Sequence, residues 1–312
     1  MAAGDDIMQL KYKMFCAKIK SCLFKTIIEL FVFNRVKRSK LKARFAKKYL
    51  RKYADIAIMK VVSPLSNRKD INTEPDTDSD YIWQYWQQGV GNAPLLIQRC
   101  LESTEKYHSD KKIIVLDKEK IQDYVELPSK YYDLLNQGKM KPAFFSDILR
   151  TYLLTQYGGT WVDATIFFTG RIPDNILQSE FFVFQKNAIE DMQENCMSNY
   201  FIHSKPNNLV MEAIKCALNE YWNENDFVIN YFMYEHIATL LSENKDIKKI
   251  FDEMPYYEVG AQPLRKILYE DFSEETFEKI KSQTNIHKLS YKIIRNDASE
   301  NSYYTKIING EI

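Results

Sequence analysis

Apolar positions between residues 7 and 60 recur at helical spacing, with neither Gly nor Pro to interrupt them. Phe15, Ile19, Leu23, Ile27, Leu30, Phe31 and Phe33 form an approximate stripe, and the basic run "RVKRSKLKARFAKKYLRK" follows it. Two readings fit. One is a helical hairpin packed on the rest of the chain, with its basic face solvated. The other is a peripheral membrane anchor, whose cations meet anionic lipid at roughly 1 kcal/mol per basic residue. "NRKDINTEPDTDSD" (67–80) is polar and turn-rich, the composition of a linker. It divides a helical extension (1–66) from a larger domain (80–312).

Beyond the linker the pattern changes to strands alternating with helices. "YIWQYW" (81–86) and "KKIIVLD" (111–117) read as strands, with a helix over 94–107 between them. This order predicts an α/β fold with a parallel, Rossmann-like sheet and right-handed crossovers. Ligands of such sheets sit beyond the carboxyl ends of the strands. "KPAFFSDILRTYLLTQYGG" is the best-defined helix: Pro142 suits its first turn and Gly158-Gly159 end it. Asp147 and Arg150, three apart, share one of its faces. An ordinary intrahelical ion pair would account for them equally well.

The strand that follows lifts one carboxylate out of an apolar run, "TWVDATIFF". Alternation puts Trp161, Asp163, Thr165 and Phe167 on one face and Val162, Ala164 and Ile166 on the other. An unpaired acid there would cost several kcal/mol, roughly. Asp163 therefore either pairs with a Lys or Arg, or joins Thr165 in holding a hard divalent cation against a diphosphate.

Composition excludes several classes. The chain has 312 residues, 45% hydrophobic and 14% aromatic, enough for a sizeable core, and a net charge of +1 argues against nucleic acid as partner. The charge is unevenly placed: residues 1–62 hold 16 Lys/Arg against 4 Asp/Glu, and the remainder holds 27 against 38. Five cysteines without a CxxC pair suit reduced thiols in the cytoplasm better than a disulfide framework or a zinc site. The acidic start "MAAGDD" does not read as a signal peptide, and no apolar run reaches the roughly 18 residues of a spanning helix. Later segments are less legible. "NYFIHSKPNNLVMEAIKCALNEYW" reads as a strand or turn and then a helix from about Asn208, and "NYFMYEHIATLL" as a helix with His236 in the core.

"FSDILRTYLLTQYGGTWVDATIF" closely resembles the signature of the capsular polysaccharide synthesis family, bacterial glycosyltransferases related to glycosyltransferase family 32. "IWQYWQQGVGNAPLLIQRCLES" upstream and "SNYFIHS", "NYFMYEH" and "HKLSYK" downstream resemble further blocks of that family in the same order, over about residues 80–295. The resemblance implies a GT-A fold that binds a nucleotide-sugar with Mn²⁺ or Mg²⁺. On its terms Asp163 matches the first acid of a DxD motif, and Ser146, Asp147 and Arg150 match a helix beside the nucleotide and donor sugar. Gly159 lies in the same block. Trp83, Tyr85 and Trp86 match a base-stacking region, although they serve equally well as core. Thr165 stands where a typical DxD has its second acid. His287 is a further candidate metal ligand, and Lys288 or Lys292 a candidate diphosphate contact. Tyr256 and Tyr257 are candidates to face the acceptor.

The activity so implied is transfer of a hexose from UDP-galactose or UDP-glucose to a lipid-linked oligosaccharide, with retention, by a peripheral enzyme at the cytoplasmic face of the plasma membrane. Asp163, Asp147 and Arg150 would be its catalytic residues. Two rivals remain. A nucleotidyl- or sugar-phosphate transferase would need a phosphate-cradling loop, which "GVGN" (89–92) is too short to supply. A catalytically silent binding module of a synthesis complex has Thr165 in its favour.

Overall fold

The computed structural model describes residues 2–66, 80–186, 191–292 and 298–312; residues 67–79 of the expected linker lie outside them. The first helical pattern is two helices, α1 (Ala2–Phe31) and α2 (Arg35–Ala57). Asn34 separates them: its side chain accepts from the Lys37 backbone N–H at 2.9 Å and so caps α2. Phe24 stacks on Phe45 at 4.0 Å, holding the two as a hairpin. A π-helical segment (Ile58–Val62) and the short α3 (Ser63–Ser66) extend α2.

The body then runs β1 (Tyr81–Tyr85), α4 (Leu95–Tyr107), β2 (Lys112–Leu116), α5 (Ser129–Asn136), α6 (Pro142–Tyr157), β3 (Gly159–Val162) and β4 (Ile166–Phe168). It continues through α7 (Asp174–Leu177), β5 (Phe181–Gln185), β6 (Met197–Ser204), α8 (Leu209–Glu224), α9 (Met233–Leu241) and α10 (Lys245–Glu253). The last elements are α11 (Pro263–Lys266), α12 (Glu274–Gln283), β7 (Ile286–Lys288) and α13 (Tyr303–Asn309).

The architecture is mixed α/β. The central sheet has the order β2-β1-β3-β6-β5, and a second sheet pairs β4 with β7. The expected parallel arrangement is met by β2, β1 and β3 alone. β6 runs antiparallel to β3, and β5 antiparallel to β6, so the sheet is mixed. Period-two alternation sends side chains to two buried faces. Trp83, Trp161, Val183 and Ile202 meet α2, α6, α8 and α9 in one core. Ile82, Val162, Phe182 and Phe201 enter another, which they share with Ile166, Phe168 and Ile286 of the smaller sheet.

The sequence reading sets residues 1–66 apart as an extension, but α2 shares the main core. Ala46, Leu50, Tyr53, Ala54 and Ala57 are fully buried there. Part of the uneven charge is also spent within the chain. Arg44, Arg51, Lys52 and Lys60 pair with Glu194, Glu243, Glu224 and Glu220 at 2.5–2.7 Å. Exposed pairs of this kind contribute about 0.2–1 kcal/mol each. They fix how α2 lies on the body more than they stabilise it.

The expected single strand after Gly159 breaks at Asp163. β3 stops at Val162, where its pairing with β6 ends. The Asp163 N–H still donates to the Tyr200 carbonyl at 2.9 Å, and the Ile166 N–H turns back to the Asp163 carbonyl at 2.8 Å. The chain therefore leaves the central sheet and resumes as β4 in the other one. Gly158 makes the preceding corner with φ 63°. A Cβ there would lie 2.6 Å from the ring of Pro206, a second reason for glycine beyond the backbone angle.

Candidate active site

Beyond the carboxyl ends of β1 and β3 lies a cleft of about 510 Å³, within the roughly 300–1,000 Å³ usual for small-molecule sites. The residues after each strand line it: Trp86–Gln88 after β1, and Asp163–Thr165 after β3. Helix α6 supplies Ser146, Asp147 and Arg150, the turn before α9 supplies Tyr231, and the start of α9 supplies Glu235. Lys288 and residues 289–292 close the opposite side.

Arg150 organises this cleft. Its Nη2 lies 3.3 Å from Asp147 Oδ1 and 3.3 Å from Asp163 Oδ1, and donates to Ser146 Oγ at 3.1 Å. Nη1 donates to the Asn199 carbonyl, and the guanidinium lies over the Trp161 ring at 4.9 Å. Asn199 Nδ2 donates to Asp147 Oδ1 at 3.0 Å. Asp163 accepts from Trp161 Nε1 at 2.9 Å on Oδ1 and from Lys288 Nζ at 2.6 Å on Oδ2. Lys288 also donates to Thr165 Oγ1 at 2.5 Å.

The acids around Arg150 are not equally placed to ionise. Burial pushes Asp147 up to about 8 against the pull of Arg150, and burial also raises Glu235. For Asp163 desolvation acts in the same sense, but Lys288 and Arg150 outweigh it and hold the carboxyl below its ordinary value. Asp163 is thus held as the anion of the site, while burial favours the protonated form of Asp147 and Glu235.

Several expected residues lie elsewhere. Trp83 is fully buried, stacks on Tyr81 at 4.6 Å and donates from Nε1 to the Gly158 carbonyl at 2.9 Å, so it is core. Tyr85 and Trp86 do line the cleft, and Trp86 meets Tyr291 edge-on at 5.3 Å. Tyr85 Oη, Trp86 Nε1 and Gln87 Oε1 are buried without a partner among the described residues. Gly159 pairs with Ser204 in the sheet and does not line the cleft. Tyr256 is exposed outside the cleft, and Tyr257 bonds Asn175 beside a smaller pocket. His236 is a core residue as expected, with Nδ1 2.7 Å from Asn195 Oδ1.

A family model for capsular polysaccharide synthesis protein matches residues 27–307. The chain belongs to that family. The match takes in all of α2, in keeping with the place of that helix in the core. No curated protein matches the chain. Among solved structures, the PaToxG glycosyltransferase is similar over 87% of this chain and 96% of its own, at 13% identity and a TM-score of 0.41. That likeness is too slight to argue from.

In this capsular-synthesis family member the side chains expected to hold a divalent cation are engaged by other groups. Both Asp163 oxygens already accept from cationic groups, and Thr165 Oγ1 accepts from Lys288. His287, expected as a ligand, faces the other way. Neighbours on a strand point to opposite sides, so Lys288 enters the cleft while His287 is buried against Thr169, 2.8 Å from its Oγ1. Among the described residues no three His, Cys, Asp or Glu side chains are grouped to hold a metal.

Sequence reasoning assigned no role to Asn199, Tyr231, Glu235, Arg265 or Tyr291, which all line the cleft. Four of them lie in or beside the segments "SNYFIHS", "NYFMYEH" and "HKLSYK". The family resemblance marked those segments without showing which side chain turns inward. Arg265 follows Pro263 in α11 and carried no signal.

Proposed function

We propose that this chain is a glycosyltransferase. It moves a hexose from a nucleoside diphosphate sugar, with UDP-galactose and UDP-glucose as first choices, to a lipid-linked oligosaccharide in capsular or exopolysaccharide synthesis. The observation that carries this reading is the convergence of Asp147, Arg150, Asp163 and Lys288 in one cleft at the carboxyl ends of β1 and β3. Open α/β sheets bind nucleotides there. The unpartnered polar atoms of Tyr85, Trp86 and Gln87 support a polar, aromatic-walled seat for the base. A buried polar group without a partner costs about 1–3 kcal/mol, which a ligand would offset.

The chemistry needs relief of charge on the departing diphosphate, and fixed cations in a partly dry cleft supply it without reorganising. Arg150 holds Asp163 in place, and Lys288, Lys292 and Arg265 line the same space. Transfer with retention needs no enzymic nucleophile if the acceptor attacks from the side the diphosphate leaves. The acceptor proton then passes to that phosphate.

Membrane attachment belongs to the same proposal. The α1 stripe is exposed: Phe15, Leu23, Ile27 and Leu30 are each more than half accessible, and Phe33 is 90% accessible. Lys11, Lys13, Lys18, Lys20, Arg35 and Lys37 are exposed along the same hairpin. An apolar row with flanking cations suits an anionic bilayer surface, where a lipid-linked acceptor resides. No helix among the described residues is long and apolar enough to cross a membrane.

Incubation of the purified protein with a panel of UDP-sugars, with and without Mn²⁺, tests the activity through UDP release. Release with one donor, lost in Asp163→Asn, is expected. Absence of both release and binding for every donor would favour a silent module.

A further inference from the structure

We infer that the donor site works without a divalent cation, because the Lys288 ammonium takes the place between Asp163 and Thr165 that a metal would need. This rests on the nucleotide-sugar reading above. The Nζ bridges Asp163 Oδ2 at 2.6 Å and Thr165 Oγ1 at 2.5 Å, the same two positions that would have to supply metal ligands.

The bridge is built into the fold. Lys288 pairs with Ile166 in the β4–β7 sheet, its backbone N–H donates to the Ala261 carbonyl at 2.6 Å, and the Leu289 N–H donates to the Thr165 carbonyl at 2.9 Å. Its side chain is 17% exposed, and the ammonium lies 5.4 Å from the centre of the Tyr200 ring. Register and packing thus hold the lysine against the turn that carries Asp163 and Thr165.

The donor chemistry agrees with that geometry. A threonine hydroxyl is a good acceptor for an ammonium and a poor substitute for a carboxylate on Mg²⁺ or Mn²⁺. Asp147 Oδ1 is engaged by Arg150 and Asn199. An ammonium has three N–H donors. Two are used on Asp163 and Thr165, and one is left for a phosphate oxygen.

Arg265 and Lys292 line the same cleft and add positive charge around a diphosphate. In the transfer step the bond from the sugar C1 to the β-phosphate oxygen breaks with its electron pair on that oxygen. The acceptor oxygen bonds to C1, its proton moves to the leaving phosphate, and Lys288 stabilises the charge that develops there. No metal enters this balance.

Isothermal titration of the full chain with UDP, in excess EDTA and then in Mn²⁺, tests the inference. The expected Kd is the same in both within about threefold, and Lys288→Met weakens binding by about tenfold or more in both. Lys288→Arg, which keeps the charge, retains part of it, and a melting curve establishes that each variant is folded. UDP binding that requires Mn²⁺ would overturn the inference and leave the nucleotide-sugar reading standing. EDTA-resistant binding that is unchanged in Lys288→Met would remove Lys288 from the role. Failure of UDP and every UDP-sugar to bind under either condition would overturn the nucleotide-sugar reading and the inference with it.

Discussion

Arg150 Nη2 reaches Asp163 Oδ1 at 3.3 Å, from the middle of α6 to the turn after β3, 13 residues along the chain. The corner at Gly158-Gly159 makes this contact. It folds the strand back beside the helix, so that an ion pair within α6 becomes a three-residue cluster.

Removing the guanidinium should leave two carboxylates without their shared partner. Arg150 is 5% exposed on its side chain, and breaking a buried pair from one side costs about 3–5 kcal/mol. Arg150→Met is expected to lose stability on that scale in urea denaturation. Arg150→Lys keeps the charge without the planar fork that reaches Ser146, Asn199 and both acids. It should fold with a smaller loss and turn over donor on the order of 100-fold more slowly. Full turnover by Arg150→Lys would show that charge alone suffices.

Asp147 sets a pH dependence whose sign is fixed. Its carboxyl lies at about 8 in the folded chain, against an ordinary 3.8. Between those values the folded state binds more protons than the unfolded state, so stability falls as pH rises. Asp163 acts in the opposite sense, and its contribution is lost as pH drops below the ordinary carboxylate value. Asp147→Asn should flatten the upper window and gain roughly 1–3 kcal/mol over the parent between about pH 5 and 8. Urea unfolding at the two pH values measures it, and parallel slopes in the two proteins would count against the assignment.

Gly158→Ala tests the corner itself. The position has φ 63°, and an added Cβ would lie 2.6 Å from Pro206 and 2.8 Å from the Ser204 carbonyl. Strain in both backbone and packing should destabilise the chain by about 2–4 kcal/mol. The melting temperature should fall accordingly, and donor turnover with it, because Asp163 and Arg150 move apart. A variant that melts with the parent would mean that the corner relaxes freely.

The exposed stripe of α1 makes a separate prediction. Leu23→Asp with Ile27→Asp places two charges on that face without entering the core that α2 occupies. Sedimentation with anionic vesicles should fall by about tenfold or more while donor turnover in solution is unchanged. Raised salt should weaken the parent's binding in part, through its cations alone. Equal sedimentation of parent and variant would remove α1 from membrane attachment.

Much of this was legible in the sequence where the signal is local. The span of α6, its proline start and its double-glycine end, the strands on either side of α4, and the start of α8 near Asn208 all follow from neighbours within a few residues. Asp147, Arg150 and Asp163 could be singled out for the same reason, since α6 and the few residues after it carry all three. Uniform alternation through Asp163 was the exception. Nothing within the strand tells where β6 stops pairing, so the turn into a second sheet is invisible in the local pattern.

By itself the sequence determined the helices α1, α2, α4 and α6 and the strands on either side of α4, where the charged and aromatic residues lie along the chain, and which family the central block resembles. Tertiary structure alone decided what those residues do to one another. It sent Trp83 into the core and kept Trp86 at the cleft. It seated α2 in the body through acids far along the chain. It turned Lys288 toward Asp163, 125 residues away, and His287 toward Thr169. Periodicity within a strand says that neighbouring side chains diverge, but it does not say which of the two faces will meet the cleft. That choice is made by sheet pairing between distant segments, and here it places an ammonium beside Asp163 and an imidazole in the core.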